Sequence, residues 1–184
     1  MPQVKTIIGI ENVVATATIK EELNLNKLIN CIPEINYEPR RFPGLIIKLK
    51  KPKMTALIFP SGRLVCTGAR SEEQVHKAVK ILMQRLKDVV NIESEPEIKI
   101  QNIVGAAYLG GRVKIEDAAK ILKRSFYEPE QFPGLIYRMD DPQTVFIIFA
   151  SGKLVCTGAK KEVEVYKAIN KLHNILEEKG LMIY

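Results

Sequence analysis

At 184 residues, with 46% hydrophobic and 27% charged side chains, the chain can bury a core and is too apolar for a disordered tail. No apolar run approaches the roughly 20 residues of a membrane span, so no membrane partner is expected, and the start, MPQVKTIIGIENVV, lacks a signal-peptide core, which predicts a cytoplasmic protein. The net charge is +7, with 15 Lys/Arg against 8 Asp/Glu in residues 1–90 and 13 against 13 in 91–184, so the basic excess that suits a polyanionic partner sits in the first half.

In chain order, a β-rich stretch over residues 7–19 comes first, then a helix near 21–32 stopped by Pro33. A short extended piece, NYEP, leads to a Phe42-Pro43-Gly44 corner. A strand at 45–50, a turn at 51–53, a strand at 54–59, a Ser61-Gly62 hairpin and a strand at 63–69 follow. Ser71 then opens a long helix as N-cap, with Glu72 and Glu73 in its first turn and an apolar stripe of Val75, Ala78, Val79, Leu82 and Leu86. After a charged linker at 88–99 the whole series returns.

The return has a fixed offset of ninety. IENVVATATI lies over IQNIVGAAYL and TALIFPSGRLVCTGAR over VFIIFASGKLVCTGAK, without an insertion, and 29 of the 78 positions from 10 to 87 are identical. One unit has therefore been duplicated, which predicts two repeats, 1–90 and 91–184, each an α+β unit of about five antiparallel strands and two helices. The second closing helix repeats the stripe as Val165, Ala168, Ile169, Leu172 and Leu176.

Two helices cover one sheet face, so the other face should read as polar. It does not: Thr55, Leu57 and Phe59 oppose Ala56 and Ile58, while Arg63, Val65 and Thr67 oppose Leu64 and Cys66. Two readings follow. The second apolar face is covered by the other repeat or by a second copy, as a homodimer, or it is a binding surface rimmed by Lys48, Lys50, Arg63, Arg70, Arg138, Lys153 and Lys160. Such a rim suits the shallow sugar-lined side of a nucleic acid.

Catalytic chemistry is not legible. His76 and His173 occupy non-equivalent repeat positions, there is no HExxH, CxxC or phosphate-cradling glycine loop, and no cofactor, catalytic residue or metal ligand is expected. Cys66 and Cys156 recur opposite Val65 and Val155 and read as buried thiols; Cys31, on the first helix, leaves a pairing with Cys66 open.

IENVVAT, EPRRFPGLIIKL and TALIFPSGRLVCTGAR, with their second copies IQNIVG, EPEQFPGLIYRM and IIFASGKLVCTGAK, closely resemble the conserved core of the TATA-binding protein family, over about residues 5–180. That family is itself a standard example of a minor-groove binder that kinks DNA with apolar wedges. The resemblance implies a saddle: one curved ten-stranded antiparallel sheet, concave towards double-stranded DNA, with four main helices on the convex side. It implies wedge rings at Phe42, Phe59, Phe132 and Phe149, minor-groove amides at Asn12 and Asn102, and hydroxyls at Thr67 and Thr157. Val14, Leu57, Val65, Val104, Ile147 and Val155 would form an apolar floor, against which a guanine amino group would project unpaired. Phosphates would fall to Lys48, Arg63, Arg70, Arg138, Lys153 and Lys160, helped by Ser61 and Ser151.

The implied function is that of a general transcription initiation factor, not an enzyme. It would bind a T/A-rich promoter box, bend it and recruit transcription factor B and RNA polymerase, in an archaeal cytoplasm at the nucleoid or in a eukaryotic nucleus. Glu128, Glu130 and Gln131, on the loop before Phe132, match the factor B contact; the first loop has Arg40 and Arg41 instead. Two alternatives remain: a sheet that stacks RNA bases, and the DNA-targeting domain of a larger enzyme system.

Overall fold

The computed structural model describes residues 6–184. The first repeat folds as β1 (Ile7–Thr18), α1 (Leu25–Cys31), β2 (Ile35–Asn36), β3 (Leu45–Lys50), β4 (Lys53–Ile58), β5 (Arg63–Ala69) and α2 (Glu72–Lys87). The second runs β6 (Glu97–Tyr108), β7 (Arg112–Val113), α3 (Ile115–Ile121), β8 (Ser125–Phe126), β9 (Leu135–Asp140), β10 (Gln143–Ile148), β11 (Lys153–Ala159), α4 (Glu162–Glu178) and β12 (Met182–Ile183). Ten strands hydrogen-bond in the order β2-β3-β4-β5-β1-β6-β11-β10-β9-β8. The described chain divides into two compact units, Asn12–Gln101 and a second made of residues 6–11 with Asn102–Tyr184.

Within the first unit, β2, β3, β4, β5 and β1 form an antiparallel meander, closed by β5 pairing back on β1. Ala56, Ile58, Leu64 and Cys66 are wholly buried, and α2 packs against β4 and β5 through Val75, Ala78, Val79, Leu82 and Leu86. The expected stripe is the one the fold uses. Each such fully buried Leu, Ile or Val contributes roughly 1.5–3 kcal/mol of transfer free energy. Asn24 caps α1 and Ser71 caps α2, each accepting from the backbone N–H three residues on, at 3.3 and 3.0 Å.

The second unit repeats this with a partly changed core, most visibly on its central strand. Met54 and Ala56, neighbours on the buried face of β4, are replaced at the equivalent positions of β10 by Thr144 and Phe146. A large–small pair has become a small–large pair, so the bulk under the helix has moved two residues along the strand. Phe146 is fully buried and stacks on Tyr137 with ring centroids 6.2 Å apart. The Thr144 hydroxyl donates to the Pro142 carbonyl, so no polar atom is stranded.

Two features were not anticipated. After α4, Gly180 adopts φ +65 and the Leu181 N–H returns to the Leu176 carbonyl, a C-terminal cap that sends the tail into β12, paired with β7. The tail is anchored again by His173, whose ring nitrogens bond the Thr6 hydroxyl at 3.0 Å and the Tyr184 hydroxyl at 3.1 Å. The linker is likewise held. Glu21 accepts from the Ser94 hydroxyl at 2.5 Å, the Ser94 N–H at 2.8 Å and the Glu93 N–H at 3.0 Å.

Those donors, the Ser94 hydroxyl foremost, hold the Glu21 carboxyl down from its ordinary 4.5 to about 2. A depressed folded-state pKa gives stability that is fully present above the unfolded value and lost as pH falls through the folded one. Glu21→Gln is therefore expected to be less stable than the parent near neutrality, with the gap closing between about pH 5 and pH 2. Urea unfolding at several pH values reads this; a gap independent of pH would mean that the carboxylate does not carry the clasp.

Candidate nucleic-acid interface

The face away from the helices can be followed residue by residue through the strand register, since directly opposed residues in antiparallel strands share a face. In the first unit one row runs Thr16–Val65–Leu57–Ile46–Asn36 and another runs Thr67–Thr55–Lys48. In the second the rows are Ala106–Val155–Ile147–Ile136–Phe126 and Thr157–Val145–Arg138. Leu57, Val65, Ile147 and Val155 are all partly exposed, whereas Ile58, Leu64, Ile148 and Leu154, their neighbours along the strands, are buried. Each unit thus carries a shallow aliphatic floor, open to solvent.

At one edge of each floor stands an asparagine whose orientation is fixed. The β1–β5 register slips between Val13–Ala69 and Ala15–Cys66, so Thr67 and Gly68 together oppose Val14. This is a β-bulge, and Gly68 takes it up at φ +100, a conformation that side chains resist. The bulge aims the Gly68 N–H at Asn12 Oδ1, 2.7 Å away. A backbone N–H can only donate, so the amide oxygen must lie there and Nδ2 must face the other way. One Nδ2 proton goes to Thr67 Oγ1 at 3.1 Å, which leaves the second to be given to a ligand acceptor. Asn102 has the same set: Gly158 N–H to Oδ1 at 2.7 Å and Nδ2 to Thr157 Oγ1 at 2.9 Å, with Gly158 also at φ +100.

At the other end are the paired rings. Phe42 and Phe59 meet edge-to-face with centroids 5.6 Å apart; Phe132 and Phe149 do so at 6.0 Å. The corner glycines are explained by these rings rather than by a left-handed turn: neither has a positive φ, but a Cβ on Gly44 would lie 2.8 Å from Phe42 Cε1, and one on Gly134 2.7 Å from Phe132 Cε1. Glycine is there so that a phenyl ring can lie across the backbone.

The turn before each corner has one backbone and two charge patterns. The Glu38 carbonyl accepts from Arg41 N and Phe42 N, both at 2.9 Å, and the Glu128 carbonyl accepts from Gln131 N at 3.0 Å and Phe132 N at 2.9 Å. On that common frame Arg40 and Arg41 are exposed in one loop, Glu130 and Gln131 in the other; Arg41 pairs with Glu38 at 3.3 Å. Around the floors Lys48, Arg63, Arg70, Arg138, Lys153 and Lys160 are all exposed. Ser61 and Ser151 accept from the N–H groups of Arg63 (3.4 Å) and Lys153 (3.3 Å), which leaves each hydroxyl proton free to be donated outward.

Among the described residues no group of three or more His, Cys, Asp or Glu is placed to hold a metal ion, and no helix is long and apolar enough to cross a membrane. Burial pushes the Cys66 thiol up to about 11 and the Cys156 thiol up to about 12, where neither is a nucleophile. The open pairing with Cys31 is closed in the negative: Cys31 is free and exposed, Cys66 free and buried.

A family model described as transcription factor TFIID (or TATA-binding protein, TBP) matches residues 7–89 and again 97–179. The chain belongs to the TATA-binding protein family. A TATA-box-binding protein of Sulfurisphaera tokodaii is 49% identical over 175 residues, 95% of this chain and 88% of the relative. That of Pyrobaculum aerophilum is 49% identical over 174 residues, 94% and 87% of the two chains. The solved structure of the Methanococcus jannaschii protein of the family superposes with a TM-score of 0.84 at 43% identity, covering 93% of this chain and 98% of that one.

In this member of the family each unit gathers its own share of the sequence-derived residues: asparagine and threonine side by side, aliphatic floor beyond, phenylalanine pair at the corner, cations around. Ile46 and Ile136, the third strand of each floor, escaped the sequence reading, as did Val145, whereas Thr55 was already on the open face by alternation. The signal that finds them is register: each directly opposes a floor or rim position already named. Thr16 is on the row too, but it is nearly buried and accepts from Gln101 Nε2 at 3.1 Å.

Proposed function

We propose that this protein is a general transcription initiation factor that binds a T/A-rich promoter box through the minor groove, bends it and presents it to transcription factor B and RNA polymerase, in the cytoplasm at the nucleoid. The observation that carries this is the bulge-fixed asparagine. The minor-groove edge of A·T and T·A pairs offers only acceptors, and each asparagine has its oxygen occupied by a glycine N–H and an amide proton to spare. The floor beside it has no acceptor for a guanine amino group, so G·C pairs lose a hydrogen bond there. Phe42 with Phe59, and Phe132 with Phe149, are assigned to opening base steps; the exposed cations and Ser61 and Ser151 are assigned to phosphates. The two repeats, 1–90 and 91–184, would each take one half of the box.

The test is a gel-shift series with a TATA duplex, a G·C-substituted duplex and single-stranded RNA as competitor, with and without transcription factor B. Preference for the TATA duplex, and a further shift with factor B, are expected. Equal binding of the two duplexes, or displacement by RNA at equal concentration, overturns the reading; a floor that is aliphatic rather than aromatic speaks against RNA stacking.

The acidic loop is assigned to factor B. Glu128→Arg with Glu130→Arg is expected to lower the factor B-dependent shift at least tenfold while leaving binary DNA binding within about twofold, since rim charges act mainly on partner encounter. Equal loss of both would show that the loop serves DNA instead.

A further inference from the structure

A duplicated chain faces a difficulty on a near-symmetric box: equivalent residues make equivalent contacts in either orientation, so only positions that differ between repeats can tell the orientations apart. On the open face two differences in apolar area are large, beside the charge reversal of Lys50 and Asp140 at the rim. The row of the first unit ends at Asn36, whereas that of the second ends at Phe126, which is 56% exposed. Thr18 opposes Arg63 at the near end of the first floor, and at the equivalent place Tyr108, 38% exposed, opposes Lys153.

Neither ring is misplaced core. The hydroxyl of Ser125, next to Phe126, donates to the Leu122 carbonyl at 2.7 Å, towards α3, and this turns Phe126 to the opposite, open side. Ala107, next to Tyr108, is buried opposite Leu154, which turns Tyr108 the same way. Both rings therefore continue the aliphatic floor at its two ends. A floor continued by exposed aromatic rings, one of them beside a lysine, fits the deoxyribose edges and phosphates of a duplex: ring faces cover sugar carbons, and the tyrosine hydroxyl and Lys153 ammonium reach phosphate oxygens.

We propose that Tyr108 and Phe126 are additional DNA-contacting residues, and that by widening the apolar contact of the second unit alone they set the orientation of the protein on its box. This rests on the DNA-binding reading above. The test attaches a cleavage reagent to one exposed engineered cysteine in a chain whose Cys31 is serine, and compares cutting at the two ends of a TATA duplex. The parent protein is expected to favour one end. Tyr108→Thr with Phe126→Asn should bring the ratio of the two cuts towards one and weaken binding about tenfold per ring. The reciprocal change, Thr18→Tyr with Asn36→Phe in that background, should reverse the preference, and Tyr108→Phe should retain most of it. Both positions are exposed, so unchanged melting temperatures are expected. An unchanged cutting ratio in the double variant, with TATA still preferred over G·C, overturns this inference and leaves the function standing. Loss of TATA preference in the parent overturns both.

Discussion

Alanine at both Phe59 and Phe149 is expected to give a folded protein that no longer bends a TATA duplex. Each of these rings lies just past the end of β4 or β10 and is only partly covered, leaning edge-on against Phe42 or Phe132. Their removal spares the helix-covered core. On DNA a flat ring replaces part of the stacking lost when a base step opens, worth about 1–3 kcal/mol per base. Two rings at the lower end of that range already amount to about thirtyfold in affinity. The end-to-end distance of a doubly labelled duplex, followed by energy transfer, should stay at the value of free DNA even where the variant is saturating. Bending equal to the parent's would remove the wedge role from both residues.

Aspartate at Asn102 separates fold from recognition. A carboxylate still accepts the Gly158 N–H, so stability should be close to the parent's, whereas Asn102→Ala hands that exposed donor to water and should cost about 0.5–1.5 kcal/mol. On DNA the order reverses. Aspartate has no proton to give and turns a negative oxygen towards base acceptors, so its affinity for a TATA duplex should fall about a hundredfold, below that of the alanine variant. Asn12→Asp should behave alike through Gly68. Urea unfolding and gel shifts on one set of variants read both orders. Parent-like DNA binding by the aspartate forms would mean that the amide proton is not what meets the bases.

Much of this was legible in the sequence because the fold relies on local rules. Alternation along β4 and β5, the Ser71 cap and the spacing of the α2 stripe each fix an element without reference to its neighbours. What escaped depends on pairing. Ile46 and Ile136 read as strand residues, but only register places them on the floor. β7 and β12 are two residues each, too short for any period to show, and they exist because Gly180 turns the tail back. The bulges left a trace, a lone glycine inside a strand pattern at Gly68 and Gly158, yet nothing local says that its N–H will select one face of an amide. The corner glycines read as turn formers and proved to be clearances for rings.

The two loops before the phenylalanine corners share their main-chain hydrogen bonds and differ in side chains that point into solvent. Scaffold and address are therefore separable in this molecule. After one repeat doubled, drift at residues 40–41 and 130–131 rewrites the charge of these loops without disturbing a main-chain hydrogen bond, a bulge or a core contact. A change of sign at the surface of this fold needs only that small, structurally neutral vocabulary.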